Sequence, residues 1–148
     1  MAGKQPTVGF LVWRLSMKWR AAVDRAVAPL GLTHARYSLL ASLHGMEQAG
    51  EQPSQRRLSD HTGLDPVYVS KLVTALEEAG LVVREESPSD ARAVQLALTT
   101  EGRATVVRAI EVVHDLLAQL TAPLGGPTSA RALQFRRDLS LLLEGDPP

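Results

Sequence analysis

Cysteine is absent from the 148 residues, which excludes disulfides, thiolate zinc sites, cysteine nucleophiles and thiol-based redox sensing. A surplus of either charge is also missing, since 16 Lys and Arg balance 16 Asp and Glu. Taken alone, that balance argues against nucleic acid as a partner. No uncharged run approaches the ~20 residues that a membrane span needs. Residues 1–7 hold no apolar core of signal-peptide type, so a soluble, cytoplasmic protein is expected. There is no Gly-x-Ser-x-Gly elbow and no phosphate-cradling glycine loop, and the four histidines fall in four different elements. These absences speak against an enzyme. The nine prolines and eleven glycines lie scattered at turn positions, so the chain is neither collagen-like nor of low complexity. What is present is ordinary: 45% apolar and 22% charged residues suit a globular chain. Its length suits one domain that buries roughly 68–70% of its unfolded surface.

Apolar residues at Val8, Leu11, Val12, Leu15, Trp19, Ala22, Val23, Ala26, Val27 and Leu30 recur in steps of three and four, the pattern of an amphipathic helix. Pro29 to Leu32 ends it, with Gly31 as the stop. Thr33 caps a second helix with Tyr37, Leu40, Ala41 and Leu43 as its apolar positions, and polar Gly45 to Pro53 reads as a loop. Ser54 caps a short helix to about Thr62, with Leu58 and His61 directed inward, and Gly63 breaks it. Asp65 at N-cap and Pro66 at the first helical position start another helix. That helix buries Val69, Leu72, Val73 and Leu76 and stops at Gly80. Leu81 to Glu85 and Ala93 to Leu98 have strand composition, the latter with Val94, Leu96 and Leu98 on one face. Turn-rich Glu86 to Arg92 joins them as the tip of a hairpin. Thr99 or Thr100 caps a long helix with a stripe of Val106, Val107, Ile110, Val113, Leu117 and Leu120. Pro123 to Pro127 interrupts the chain before a last helix, about Ser129 to Leu143, that carries Leu133, Leu139, Leu142 and Leu143. The expected class is mainly α: a winged helix-turn-helix with a small β-hairpin wing, flanked by N- and C-terminal helices.

The chemistry lies in the middle of the chain. At 100° per residue Val67, Ser70, Lys71 and Thr74, flanked by Tyr68, lie opposite the buried side of their helix. Hydroxyls, one cation and small apolar groups suit base edges and phosphates in a major groove. By composition the same face serves equally well as the solvated side of a helix. Asp90 and Arg92, two apart at the hairpin tip, share a strand face. Asp90 can therefore orient the Arg92 guanidinium for a narrow minor groove, where negative potential is enhanced.

The stretch Leu58 to Gly102, through LSDHTGLDPVYVSKLVTALEEAGLVVRE and SPSDARAVQLALTTEG, resembles the MarR family of winged-helix transcription regulators. The shared features are the recognition helix, the Leu76 to Val82 exit, the Asp90-x-Arg92 wing and the Leu98 to Gly102 start of the long helix. The resemblance implies one domain over residues 1–148, with dimerisation helices at about 7–32 and 100–148 and a DNA-binding lobe at 33–99. It implies a homodimer on double-stranded, pseudo-palindromic promoter DNA, acting as a repressor. Ser54, Gln55 and Arg56 would grip phosphate at a helix N-terminus. Pro66, Val67, Tyr68, Ser70, Lys71 and Thr74 would lie in or beside the major groove, with Asp90 and Arg92 as the wing contact. Half-sites would sit ~10–10.5 base pairs apart, the terminal helices of two copies sharing an isologous interface.

Family members commonly answer to small aromatic or phenolic acids. Trp13, Met17 and Arg20 form a stripe on the first helix, and His34 and Tyr37 begin the second. Apolar walls with a converging cation suit such an effector, and Arg20 or His34 would receive a carboxylate. Taken singly, Trp13 and Met17 also read as dimer core and Arg20 as a solvated charge. Glu111 and His114 share a helix face, beside Asp115 and with His44 as the other donor, but that spacing is far more often a surface pair; no metal or cofactor is expected. Two alternatives to DNA-dependent regulation by a small ligand are a winged-helix protein-interaction module and a metal-responsive regulator. The zero net charge divides as +4 over residues 1–50, −3 over 51–98 and −1 over 99–148. The lobe is thus acidic in sum, with Arg56, Arg57, Lys71, Arg84 and Arg92 expected on a localised contact face, and Glu77, Glu78 and Glu85 toward its far end.

Overall fold

The computed structural model describes residues 3–89 and 93–145; Asp90 and Arg92 of the wing lie outside the described residues. The chain divides into two compact units that part between Glu111 and Val112.

The first unit contains α1 (Val8–Val27), α2 (His34–Gln48), α3 (Gln55–Thr62), α4 (Pro66–Glu78), the antiparallel strands β1 (Val82–Glu86) and β2 (Val94–Leu98), and the start of α5 (Thr100–Thr121). Side-chain caps set the helix starts. The Thr7, Thr33 and Ser54 hydroxyls accept from the backbone N–H groups of Phe10, Arg36 and Arg57. A 3-10 turn, Ala28–Leu30, closes α1, and Gly31 follows at φ 76°, a conformation open to glycine at little cost. Thr99 resolves the choice of cap for α5: its Oγ1 accepts from the Gly102 N–H at 2.9 Å and donates to the Gly80 carbonyl at 2.6 Å.

Leu39, Leu40, Leu43, Leu58, Val69, Val73, Leu76, Leu96 and Val106 form the core with Val23 and Val27. Each such side chain contributes roughly 1.5–3 kcal/mol. All four inward positions read for α4 are buried. The strands pair Val82 with Leu98 and Arg84 with Leu96.

Four local readings are corrected. Helix α2 runs on through Gly45 to Gln48, because burying Met46 and Leu39 outweighs the ~1 kcal/mol that a mid-helix glycine costs. In α3 the inward partner of Leu58 is Ser59, while His61 is exposed; Ser59 reaches the following turn with its hydroxyl, which the longer imidazole does not. Strand β1 begins at Val82, since the Leu81 N–H closes α4 by donating to the Leu76 carbonyl at 2.9 Å. The end of the supposed loop is strand-like: Ser54 bridges Gln95, and the Leu96 N–H donates to the Pro53 carbonyl at 3.0 Å.

In the second unit α5 ends in a 3-10 turn, Ala122–Leu124, followed by Gly125 and Gly126 at φ 101° and 100°. Ser129 then caps α6 (Ala130–Glu144) by accepting from the Ala132 N–H. Leu141, Leu142 and Leu143 of α6 are exposed, as are Phe10, Leu11, Val12 and Trp13 of α1. None of the helices among the described residues is long and apolar enough to cross a membrane.

Candidate nucleic-acid interface

Helices α3 and α4 are joined by three residues whose geometry is set by hydrogen bonds rather than packing alone. Gly63 takes φ 72°. The Ser59 hydroxyl donates to the Leu64 carbonyl at 2.6 Å, and the Thr62 hydroxyl donates to the Leu58 carbonyl at 2.7 Å. One Asp65 carboxylate oxygen then accepts from the N–H groups of Val67 and Tyr68, at 2.8 and 3.3 Å. Pro66 has no N–H to satisfy, so the start of α4 is fully capped before any ligand arrives.

The outer face of α4 presents Val67, Tyr68, Lys71 and Thr74 to solvent, with Ser70 half-buried. Pro66 stands exposed at its start. At the start of α3, Arg56 is exposed, Ser54 and Gln55 are half-buried, and the Ser54 hydroxyl is occupied as the cap. The structure therefore brings Gln55, Ser70 and Thr74 into one hydrogen-bonded set, with Lys71 beside them on the α4 face; Arg56 shares α3 with Gln55. Among the described residues, Arg56 and Lys71 have no ion-pair partner.

Two of the expected contact cations are engaged in intramolecular pairs instead, Arg57 at the surface and Arg84 half-buried. Arg57 pairs with Glu51 at 3.0 Å. Arg84, on β1, reaches back across the motif: Nε donates to Gln55 Oε1 at 3.3 Å, and Nη2 donates to the Ser70 carbonyl at 2.9 Å and to Thr74 Oγ1 at 3.0 Å. Its Nη1 pairs with Glu77 at 3.4 Å, and its backbone N–H donates to the same carboxylate. A single guanidinium thus ties β1 to α3 and to two turns of α4. The sequence carried one signal of this. Val82 and Arg84 share a strand face by alternation, and a cation on the face that buries Val82 needs acceptors there. Glu47 is a second residue the sequence reading missed. Its carboxylate accepts from the Leu98 N–H at 2.9 Å and pairs with Arg103 at 3.1 Å, joining α2 to the end of β2 and the first turn of α5.

Of the residues expected to meet an effector, Trp13 and Met17 are exposed on α1 and Trp13 lies against Phe10, with ring centroids 6.1 Å apart. Arg20, Asp24 and His34 come together where α1 faces the start of α2: Asp24 Oδ1 accepts from the His34 N–H at 2.6 Å. Burial lowers the His34 pKa, with the Arg20 charge adding to the shift and Asp24 opposing it; burial raises that of Tyr37. A separate surface groove of about 470 Å³ lies between α2 and α3, lined by Met46, Glu51, Arg57 and His61 among others, and none of the five expected residues lines it. Among the described residues no group of three or more His, Asp or Glu is placed to hold a metal ion.

The sequence profile of the MarR family matches residues 30–93. The HTH-type transcriptional regulator YdcH of Bacillus subtilis is 33% identical over 115 residues, 78% of each chain. The HTH-type transcriptional repressor Rv2887 of Mycobacterium tuberculosis is 34% identical over 122 residues, covering 78% of this chain and 84% of its own. Among solved structures, the transcriptional repressor CouR bound to a 23-mer DNA duplex is 31% identical with a TM-score of 0.71, covering 93% of this chain and 89% of that one.

Proposed function

The chain belongs to the MarR family, and we propose that it is a homodimeric transcriptional repressor of pseudo-palindromic promoter DNA, working in the cytoplasm. The observation that carries this reading is the outer face of α4, with Lys71 and Val67 held outward on a helix whose start is capped by Asp65 and whose flank is clamped by Arg84. In this reading α4 enters the major groove, where Ser70 and Lys71 meet base edges or phosphates and Pro66, Val67 and Tyr68 make apolar contact. Ser54, Gln55 and Arg56 lie against phosphate at the start of α3. Asp90 and Arg92 form the wing contact in the minor groove. The relatives support it: CouR is solved on DNA and Rv2887 is named a repressor.

The helices over about 7–32 and 100–148 are the dimerisation segments and 33–99 the DNA-binding lobe. The exposed apolar side chains of α1 and of α6 bury against a second copy, which places two α4 helices about one DNA turn, ~10–10.5 base pairs, apart. A small aromatic or phenolic acid releases the DNA. Arg20 and His34 receive its carboxylate, Trp13 and Met17 supply the apolar wall, and Tyr37 supplies a hydroxyl.

An electrophoretic shift with the DNA upstream of the chain's own coding region, repeated over a salt series, tests the reading. Binding should weaken with salt at a slope near −0.9 per phosphate contacted, and Lys71→Ala should reduce that slope by about 1 if its ammonium sits on phosphate. Salt-insensitive or absent binding would favour the protein-interaction module instead.

A further inference from the structure

We propose that Arg84 is a positioning residue that decides which groups of the helix-turn-helix remain available to DNA. This rests on the DNA-binding reading above and assigns its specificity. The physical point is hydrogen-bond capacity. A threonine hydroxyl has one donor and two lone pairs. In Thr74 the donor is given to the Ser70 carbonyl at 3.0 Å, and one lone pair is taken by Arg84 Nη2 at 3.0 Å. No donor remains for guanine O6 or N7, adenine N7 or thymine O4, which are the acceptors of the major-groove edges. Exposed as it is, Thr74 cannot read those edges by donation while Arg84 holds it.

The same guanidinium sets Gln55 the other way. Because Arg84 Nε donates to Gln55 Oε1 at 3.3 Å, the amide is oriented with its oxygen inward. The Nε2 group keeps its two donors, since Arg84 meets the oxygen. Gln55 opens α3, where unpaired N–H groups already favour an anion. An amide whose oxygen is held by Arg84 can donate to phosphate there, but is not free to make the paired donor and acceptor contact by which glutamine reads adenine. Ser70 contributes its carbonyl to this network and keeps its hydroxyl out of it, and Lys71 lies outside it. Donation to base acceptors is thereby left to Ser70 and Lys71, with Val67 for thymine methyl contact; the one lone pair left on Thr74 can accept only from adenine N6 or cytosine N4. The fork geometry matters. Arg84 meets acceptors in α3 and in two turns of α4 from different nitrogens, which a lysine ammonium, a single point of charge, cannot do.

Selection from a randomised duplex library, followed by affinity measurements on single-base variants of the selected site, tests this with the full-length chain. Ratios of affinity between variants are independent of the fraction of protein folded, so a merely structural role for Arg84 would leave them unmoved. Thr74→Val keeps the shape and removes the hydroxyl. The expected result is that its preference between guanine and thymine, whose major-groove edges present only acceptors, stays within about two-fold of the parent's. For Arg84→Lys, at least one base position is expected to change preference by about ten-fold or more as the freed Thr74 and Gln55 enter the readout. In the double variant Arg84→Lys with Thr74→Val, that change should shrink. A Thr74→Val variant that selectively loses guanine or thymine would overturn the inference, and so would an Arg84→Lys variant with the parent's ratios. If Arg84→Lys fails to fold, the Thr74→Val ratios still decide. No sequence preference in the parent chain would overturn the DNA-binding reading itself, a different result from the other two.

Discussion

Gly102 shows how one residue ties the end of the helix-turn-helix to the start of α5. A Cβ at this position would overlap the Leu81 carbonyl oxygen. The obstacle is backbone, not a side chain that can swing away. Gly102→Ala should therefore cost about 1–3 kcal/mol or more, overriding the ~0.5–1 kcal/mol that alanine ordinarily gains in a helix. Urea denaturation checks this, and a stabilised variant would contradict the close approach. His34 carries a prediction about pH. Burial favours its neutral form, Arg20 reinforces the effect and Asp24 partly offsets it, so its folded pKa lies below the ordinary 6.5. Stability from this site is then complete above 6.5 and is lost as the pH falls through the lower folded value. The melting temperature of the parent should drop more between pH 7 and 5 than that of His34→Gln, whose backbone N–H still reaches Asp24; parallel curves would remove His34 from the account.

At the scale of elements, α4 is a short helix held by three devices: the Asp65 cap, the buried row Val69, Leu72, Val73 and Leu76, and the Arg84 clamp on its outer side. The first is separable from the others. Asp65→Ala removes the acceptor for two N–H groups that Pro66 cannot replace, and should cost about 1 kcal/mol, read from chemical denaturation. Asp65→Ser should restore most of it, because serine caps comparably; equal loss in both would mean that the aspartate acts through charge. Element positions also explain the charge puzzle. Within the −3 balance of residues 51–98, Glu51 and Glu77 pair with Arg57 and Arg84, while Glu85 accepts from the neutral Gln52 amide. Lys71 and Arg56 are thereby left as the cations of the α3 and α4 surface without an ion-pair partner among the described residues.

At the scale of the whole molecule, the proposed dimer would cover apolar side chains that one chain leaves in water. Leu141, Leu142 and Leu143 are 67–86% exposed and Leu11 is 51% exposed, and burying such a leucine is worth roughly 1.5–3 kcal/mol. Sedimentation equilibrium should give twice the chain mass. Leu11→Glu combined with Leu142→Glu should give monomers that retain their helical circular dichroism and lose binding to a two-half-site duplex. A parent that sediments as a monomer would remove the isologous interface.

Composition, caps and periodicity by themselves determined the order of elements. Thr33, Ser54, Asp65 with Pro66, and Ser129 start the helices where the sequence places them, and the inward row of α4 follows from its spacing. Those signals act within one or two turns of chain, so they need no knowledge of neighbours. Only the tertiary structure decided that Met46 is core, that Ser59 and not His61 turns inward, that Pro53 lies beside β2, that Arg84 clamps α3 and α4, and that Arg57 pairs with Glu51 at the surface. Arg84 lies 14 residues from Ser70 and 29 from Gln55, and Glu47 lies 56 from Arg103. Which charge finds which acceptor across such separations is settled by how the elements pack, because desolvating a cation is tolerable only where packing has already assembled its acceptors. A count of lysines and arginines therefore could not distinguish the cations left unpaired on the α3 and α4 surface among the described residues from those that hold the motif together.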